Sequence, residues 1–299
     1  MRISDTLNLS GEEISQIQGH LSDANVVGCG RGERQRAGRW TRESCLSVYV
    51  QRKFSDEELA RSDASTRSLP RQVGSYPVDV LEVGALSFNV AHWSSFASAI
   101  DVGFGAAAVA DPEGPPLVLL AGHAALPRPG GAYLPRWSPG DGGSVKVQGH
   151  QGVVVGGAFG DGQSVDWAVI RLPDVKVQTE HHVTKTGTPI AYSGVLRPHE
   201  PLHFFSPVRR EFVHGAVLGF EASLKIAGTV YSNLLLVAST DEGPFSVRRD
   251  SGSLVFNAEN RAIGMIVASS DDRPISALAT IPALVADPDF ARFARHFFQ

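Results

Sequence analysis

The sequence predicts a mainly β protein. Many short strands are expected to close into barrels or pack as a sandwich, with a small α+β unit ahead of them and a helix at the C-terminal end. Three observations predict this. Gly (31) and Pro (18) together make up about one in six of the 299 residues, which interrupts the chain too often for long helical bundles or coiled coils. Nine short apolar runs follow one another between residues 100 and 270, separated by Gly, Pro or Asp clusters. No helical period persists from about residue 100 to the last fifteen or so residues.

Taken in order, the elements begin with a capping box, Ser10 and Glu13, after which Ile14, Ile17 and Leu21 fall on one helical face. Gly28-Cys29-Gly30-Arg31-Gly32 looks superficially like a dinucleotide-binding turn, but no GxGxxG fits and no long helix follows, so a hairpin turn is expected. Leu46, Val48 and Val50 alternate with Ser47, Tyr49 and Gln51, the period of a half-buried strand. Ser55 and Glu58 form a second capping box before a brief helix, and Val78 to Val83 reads as another strand. Residues 1–90 are thus expected to form the small α+β unit. Beyond it come the apolar runs Val102 to Val109, Leu117 to Leu120, Val145 to Val147, Val153 to Val155, Trp167 to Leu172, Val213 to Phe220, Leu234 to Val237, Leu254 to Phe256 and Ile263 to Val267. Asp287 can cap a terminal helix with Pro288 at its first position, and Phe290, Phe293 and Phe297 then share a face.

Composition narrows the function. The 27 basic and 31 acidic residues give a net charge of −4, too balanced for broad electrostatic capture of nucleic acid, and no nucleic-acid partner is expected. Two cysteines, Cys29 and Cys45, form at most one bridge, and neither lies in a CxxC or beside a histidine. The first residues lack the apolar core of a secretion signal, and no run of 18 apolar residues occurs. The expectation is a soluble, cytoplasmic chain with reduced thiols, no membrane association, no metal and no cofactor. His199-Glu200-Pro201-Leu202-His203 matches HExxH, but Pro201 inside the motif opposes the helix that would bring both histidines to one metal, and a Pro-rich loop is expected. Arg31, Arg34, Arg36, Arg39 and Arg42 read as a solvated stretch, and His181-His182 as loop polarity.

Three motifs remain, in the order His, Asp, Ser. They are Leu119-Leu120-Ala121-Gly122-His123-Ala124-Ala125, Val165-Asp166-Trp167-Ala168-Val169-Ile170-Arg171-Leu172 and Arg249-Asp250-Ser251-Gly252-Ser253-Leu254-Val255. Each sets a reactive side chain at the end of an apolar strand or in a tight turn. A serine hydroxyl is a weak nucleophile that needs a neighbouring base, an imidazole suits that task, and a buried carboxylate fixes its tautomer and stabilises the imidazolium.

This set resembles the trypsin/chymotrypsin-like serine protease family, in particular its intracellular, bacterial branch. AGHA is similar to the family's histidine motif, DWAVIRL to its aspartate segment and RDSGSLV to its GDSGGPLV, with 43 residues from His123 to Asp166 and 85 from Asp166 to Ser251. The resemblance covers residues 95–299. It implies a double antiparallel β-barrel, with barrels over about 97–180 and 181–286, a C-terminal helix over 287–298 and the catalytic residues between the barrels. It further implies a serine endopeptidase acting on a protein or peptide substrate, with Ser251 as nucleophile, His123 as general base and acid, and Asp166 as the orienting carboxylate. The backbone N–H groups of Arg249 and Ser251 would form the oxyanion hole. Phe245 and Ser246 would sit at the base of the specificity pocket, with Ser269 at its wall. An aromatic at 245 suggests small or apolar residues before the scissile bond, whereas Asp271 and Asp272 on the neighbouring loop suggest a basic one; the sequence leaves both open.

Departures from the family pattern carry expectations of their own. Arg249 replaces a glycine, and its side chain opposes the backbone orientation that points its N–H into the hole. A latent enzyme is therefore expected, in which binding of substrate, or of a protein partner acting through residues 1–90, reorders the loop from Phe245 to Ser251, in the manner of regulatory proteases of bacterial stress or defence. No cleavable arginine followed by Ile-Val-Gly-Gly precedes the barrels, so activation by a newly freed N-terminus reaching Asp250 is not implied. The competing reading is a catalytically impaired peptide-binding module on the same fold; an esterase using the same triad lacks the GxSxG elbow.

Overall fold

The computed structural model describes residues 19–20, 22–36, 39–61, 68–88, 107–109, 115–125, 136–137, 144–147, 150–159, 166–172 and 189–299. The capping box at Ser10, His181-His182 and most of the run from Val102 lie outside them. In chain order the elements are β1 (Val26–Arg36), β2 (Arg39–Val50), α1 (Asp56–Arg61), β3 (Gln72–Val73), β4 (Tyr76–Glu82), β5 (Leu86–Phe88), β6 (Ala107–Val109), β7 (Pro116–Leu120) and α2 (Gly122–Ala125). There follow β8 (Arg136–Trp137), β9 (Ser144–Val147), β10 (His150–Ala158), β11 (Trp167–Arg171), β12 (Pro201–Ser206), β13 (Glu211–Ile226), β14 (Thr229–Ser239), β15 (Leu254–Asn257), β16 (Ala262–Ser270), β17 (Ile275–Thr280), α3 (Ile281–Ala286) and α4 (Ala291–Phe297).

These strands build two curled sheets, the double-barrel arrangement implied by the sequence motifs. One is six-stranded, in the order β6-β7-β11-β10-β8 with β9 on β10. The other runs β12-β15-β16-β17-β14-β13 and closes on itself, because β12 also pairs with β13. Alternation along the closed barrel's strands divides its side chains between two cores. Val255, Ile263 and Ile266 point inward with Phe204, Val237 and Phe245, whereas Leu254, Met265 and Phe256 join Leu119, Leu120, Trp167 and Ile170 of the first sheet. The interface between the sheets is therefore a continuous apolar layer, and residues on facing strand ends are held at fixed separations.

The N-terminal strands are hydrogen-bonded into the second sheet: β1 pairs with β13, β2 with β1, and β4 lies parallel to β2. The hairpin turn expected over residues 28–32 is instead the interior of β1. Its glycines answer to close approach, since a Cβ at Gly30 would lie 2.9 Å from the carbonyl oxygen of Phe220 and 2.9 Å from the Tyr49 hydroxyl, and one at Gly28 would strike the carbonyl of Ser223. A bulge between Cys29 and Arg31 accompanies this crowding. The arginines nearby lie on the β1–β2 hairpin, where Arg34 and Arg36 share Glu43. The box at Ser55 forms as expected, the Glu58 N–H donating to Ser55 Oγ at 3.2 Å and the Ser55 N–H to Glu58 Oε2 at 2.9 Å. His203 of the HExxH stretch is in β12, so no helix brings it beside His199.

The terminal segment is two short helices where the sequence suggested one. α3 is capped by Thr280 and was not signalled by a long apolar period. The Asp287 carboxylate accepts N–H groups from Asp289 and Phe290, turning the chain into α4. Phe290 and Phe297 are then buried, with Phe290 edge-on to Trp167 at 5.1 Å. No helix among the described residues is long and apolar enough to cross a membrane.

Cys29 and Cys45 are free and buried, and burial pushes their thiols up to about 12 and about 11. Only the thiolate reacts, so at about pH 8 neither should be labelled by a disulfide reagent within minutes in the native protein, and both should react once urea unfolds it. Rapid labelling of the folded protein would contradict the packing around β1 and β2.

Candidate active site

Antiparallel register brings His123 and Asp166 together. β7 and β11 are paired with Ala168 opposite Leu120, and the same register carried two residues on sets Asp166 opposite Gly122, immediately before His123. Gly122 has no room for a side chain: a Cβ would stand 2.5 Å from the Ala158 carbonyl oxygen and 3.0 Å from Asp166 Oδ1. The chain can therefore turn into α2 tightly against the acid. The His123 backbone N–H donates to Asp166 Oδ1 at 2.8 Å, and its ring Nδ1 lies 2.5 Å from Asp166 Oδ2. Two bonds to one carboxylate fix both the position and the face of the imidazole.

Ser251 arrives from the other sheet. The Gly252 N–H donates to the Ile266 carbonyl at 2.9 Å and the Ile266 N–H to Ser253 O at 3.0 Å, so the serine sits where β15 joins the edge of β16. Its Oγ lies 2.9 Å from His123 Nε2. Asp166, His123 and Ser251 thus form one hydrogen-bonded chain across the interface between the sheets, and all three are buried. With Nδ1 facing a carboxylate, the ring's Nε2 is left to accept the serine proton, the geometry required of a general base.

The turn before the serine is strained in a particular way. The Asp250 N–H donates to the Val247 carbonyl at 3.0 Å, and Arg249, third in that turn, has φ +79°, a left-handed conformation that suits glycine. Among the described residues no acceptor takes the N–H of Arg249 or of Ser251, while those of Asp250 and Gly252 are bonded. Several contacts hold the strain. Ser206 Oγ and the Val247 N–H donate to the two Asp250 oxygens at 2.8 Å each, and the Arg209 guanidinium donates to the carbonyls of Pro244 and Phe245 at 3.1 and 2.7 Å. Burial raises the Asp250 carboxyl above its ordinary range, against the opposing effect of those bonds.

The residues expected to line a specificity pocket are close to one another but buried. Phe245 lies inside the barrel with its ring 5.0 Å from that of Phe204. Ser246 Oγ is 2.8 Å from Ser276 Oγ, and Ser269 on β16 is directly opposite Ser276 of β17. Asp271 and Asp272 are exposed, and Asp272 accepts from Ser270 Oγ at 2.7 Å. Sequence reasoning did not anticipate Phe88. Its ring lies 4.6 Å from that of His123 and packs edge-on against Phe159 and Tyr231; the Phe159 ring is 5.8 Å from the same imidazole, and the His123 side chain has no exposed surface. The only local signal was the apolar–polar–apolar order of Leu86, Ser87 and Phe88. No group of His, Cys, Asp and Glu suited to a metal occurs among the described residues.

No protein-family model matches the chain, and no curated protein matches it. Among solved structures it is similar to Thermobifida fusca protease A, with 16% identity over 64% of this chain and 87% of that one and a TM-score of 0.41. It is similar to the Nocardiopsis protease, with 14% identity over 63% and 95% of the two chains and a TM-score of 0.40. A protease from M. tuberculosis in its active form shows 10% identity over 95% of this chain and 86% of that chain, with a TM-score of 0.38. At such identities the roles of individual residues rest on this chain's own geometry.

Two outcomes follow. Arg249→Gly releases the left-handed strain and should raise stability by about 1 kcal/mol in urea unfolding, net of the extra freedom of an unfolded glycine; a loss would contradict the strained turn. For Asp250, the folded pKa is raised, so its contribution is most favourable at low pH and is lost as pH rises through the folded value. Wild type should therefore lose stability relative to Asp250→Asn between about pH 4 and pH 7. A difference between the two proteins that stays constant over that range would contradict the burial of an ionisable carboxyl there.

Proposed function

We propose that the chain is a serine endopeptidase that cleaves a protein or peptide substrate through an acyl-enzyme intermediate. The observation that carries this reading is the continuous Asp166–His123–Ser251 hydrogen-bonded chain between two rigid sheets. Ser251 Oγ attacks the scissile carbonyl while its proton passes to His123 Nε2, and Asp166 stabilises the imidazolium that forms. The tetrahedral oxyanion is received by the N–H groups of Arg249 and Ser251, which have no competing acceptor among the described residues. His123 then returns the proton to the leaving amine, and water, deprotonated by the same imidazole, releases the acyl group and restores the serine.

On this reading residues 1–90 restrain or recruit rather than react, and a protein partner that acts on them sets the activity. A reducing, cytoplasmic setting fits the two free thiols. The left-handed backbone that Arg249 holds in the turn before Ser251 supports a second reading, in which the site holds a peptide without cleaving it.

Prolonged incubation with a fluorophosphonate, followed by mass mapping, separates the two. The protease reading expects a single adduct on Ser251, none on Ser251→Ala, and peptide hydrolysis by Asp166→Asn reduced by about 10⁴-fold through loss of the tautomer-fixing acid. Absence of the adduct from the wild type, or its equal appearance in Ser251→Ala, would leave the peptide-holding reading.

A further inference from the structure

β5 is attached to the second sheet as a guest. The closed barrel needs no strand from it, since β16 is already paired to β15 on one side and β17 on the other. β15, however, leaves β16 at Met265, and the bonds of Gly252 and Ser253 to Ile266 follow. The next residues along that edge, Ala268, Ser269 and Ser270, are taken antiparallel by Phe88, Ser87 and Leu86. The strand edge that begins at the nucleophile turn is therefore filled by the chain's own segment, whose last residue covers the ring of His123.

The segment is fixed from both ends. On entry, Glu82 pairs with Arg273, the Val83 N–H donates to the Val50 carbonyl at 2.9 Å, and Gly84, at φ +73°, lies so close to Ser270 and Asp272 that a Cβ would collide with both side chains. On exit, Leu86 and Phe88 are 6% and 7% exposed within a cluster that includes Phe159, Tyr231 and Val267. An extended peptide adds to a sheet edge through main-chain bonds and seats alternate side chains in pockets, and residues 86–88 do both.

We propose that Leu86–Ser87–Phe88 is a built-in blocking strand: it occupies the edge of β16 to which a substrate peptide would add, and Phe88 shields His123 until the strand is displaced. The proposal rests on reading the Ser251 site as one that accepts an extended peptide, not on its cleaving one. The Glu82–Arg273 pair is partly exposed, which makes the Glu82–Gly84 entry the point where a partner could pry the strand away.

The test uses the full chain with Ser251→Ala, so that binding is measured without turnover. The ligand is a fluorescent peptide copying residues 84–90, followed by anisotropy. Phe88→Ala should bind it at least about tenfold more tightly, because a smaller share of molecules is closed. The pair Ser87→Cys and Ser269→Cys, directly opposite in the ladder, should bind at least about tenfold more weakly when oxidised than when reduced. Equal affinity in all these proteins, or no binding by any of them, would overturn the proposal. Peptide hydrolysis by the matching proteins that retain Ser251 reports separately on the protease reading, so its failure leaves the binding result standing.

Discussion

One edge of β16 organises the site. Along it, in order, come the pairing with β15, the bonds that seat Gly252 and Ser253, and the ladder with β5. A strand edge offers its donors and acceptors at a fixed repeat, so whatever occupies one stretch sets the position of whatever follows. The serine is placed by that repeat within reach of a histidine held by the other sheet, and the same repeat delivers Phe88 to the histidine's face. The apolar layer between the sheets, with Leu254 and Met265 against Leu120 and Trp167, keeps the two halves of the arrangement at a constant distance.

Strain and its compensation lie next to each other. Arg249 holds a left-handed backbone, costing of order 1–3 kcal/mol, and the loop that carries it is tied by Ser206, Arg209 and the Asp250 carboxylate. Asp250 itself is buried, which raises its carboxyl above the ordinary range against the opposing effect of its hydrogen bonds.

Local pattern carried a large part of this organisation. The alternation at Leu46 to Val50, the box at Ser55 and the apolar runs flanking His123, Asp166 and Ser251 each depend on neighbours in sequence, and the three motifs pointed to residues that the fold links through His123 by contacts of 2.5 and 2.9 Å. What depended on distant backbone was not legible. Gly28 and Gly30 suggested a turn because nothing nearby shows that β13 passes over them, and the terminal segment suggested one helix because Thr280 caps an extra turn too short to show a period. Phe88 was missed for the same reason: a three-residue strand has no periodicity to detect, and its importance comes from a partner about 180 residues further on. Arg249 shows the opposite case, in which a single residue type at a known kind of turn was enough to flag backbone strain.

Asp166, His123 and Ser251 are assembled into one hydrogen-bonded chain and buried. The most direct measurement is the rate at which Ser251 is modified by two phosphonates sharing one warhead, one small and one carrying an extended apolar peptide, with wild type compared against Phe88→Ala. Both reagents should react faster with Phe88→Ala, and the gain for the peptidyl reagent should exceed that for the small one by at least about tenfold. The same ratio of rates in the two proteins would contradict the shielding of the site by Phe88.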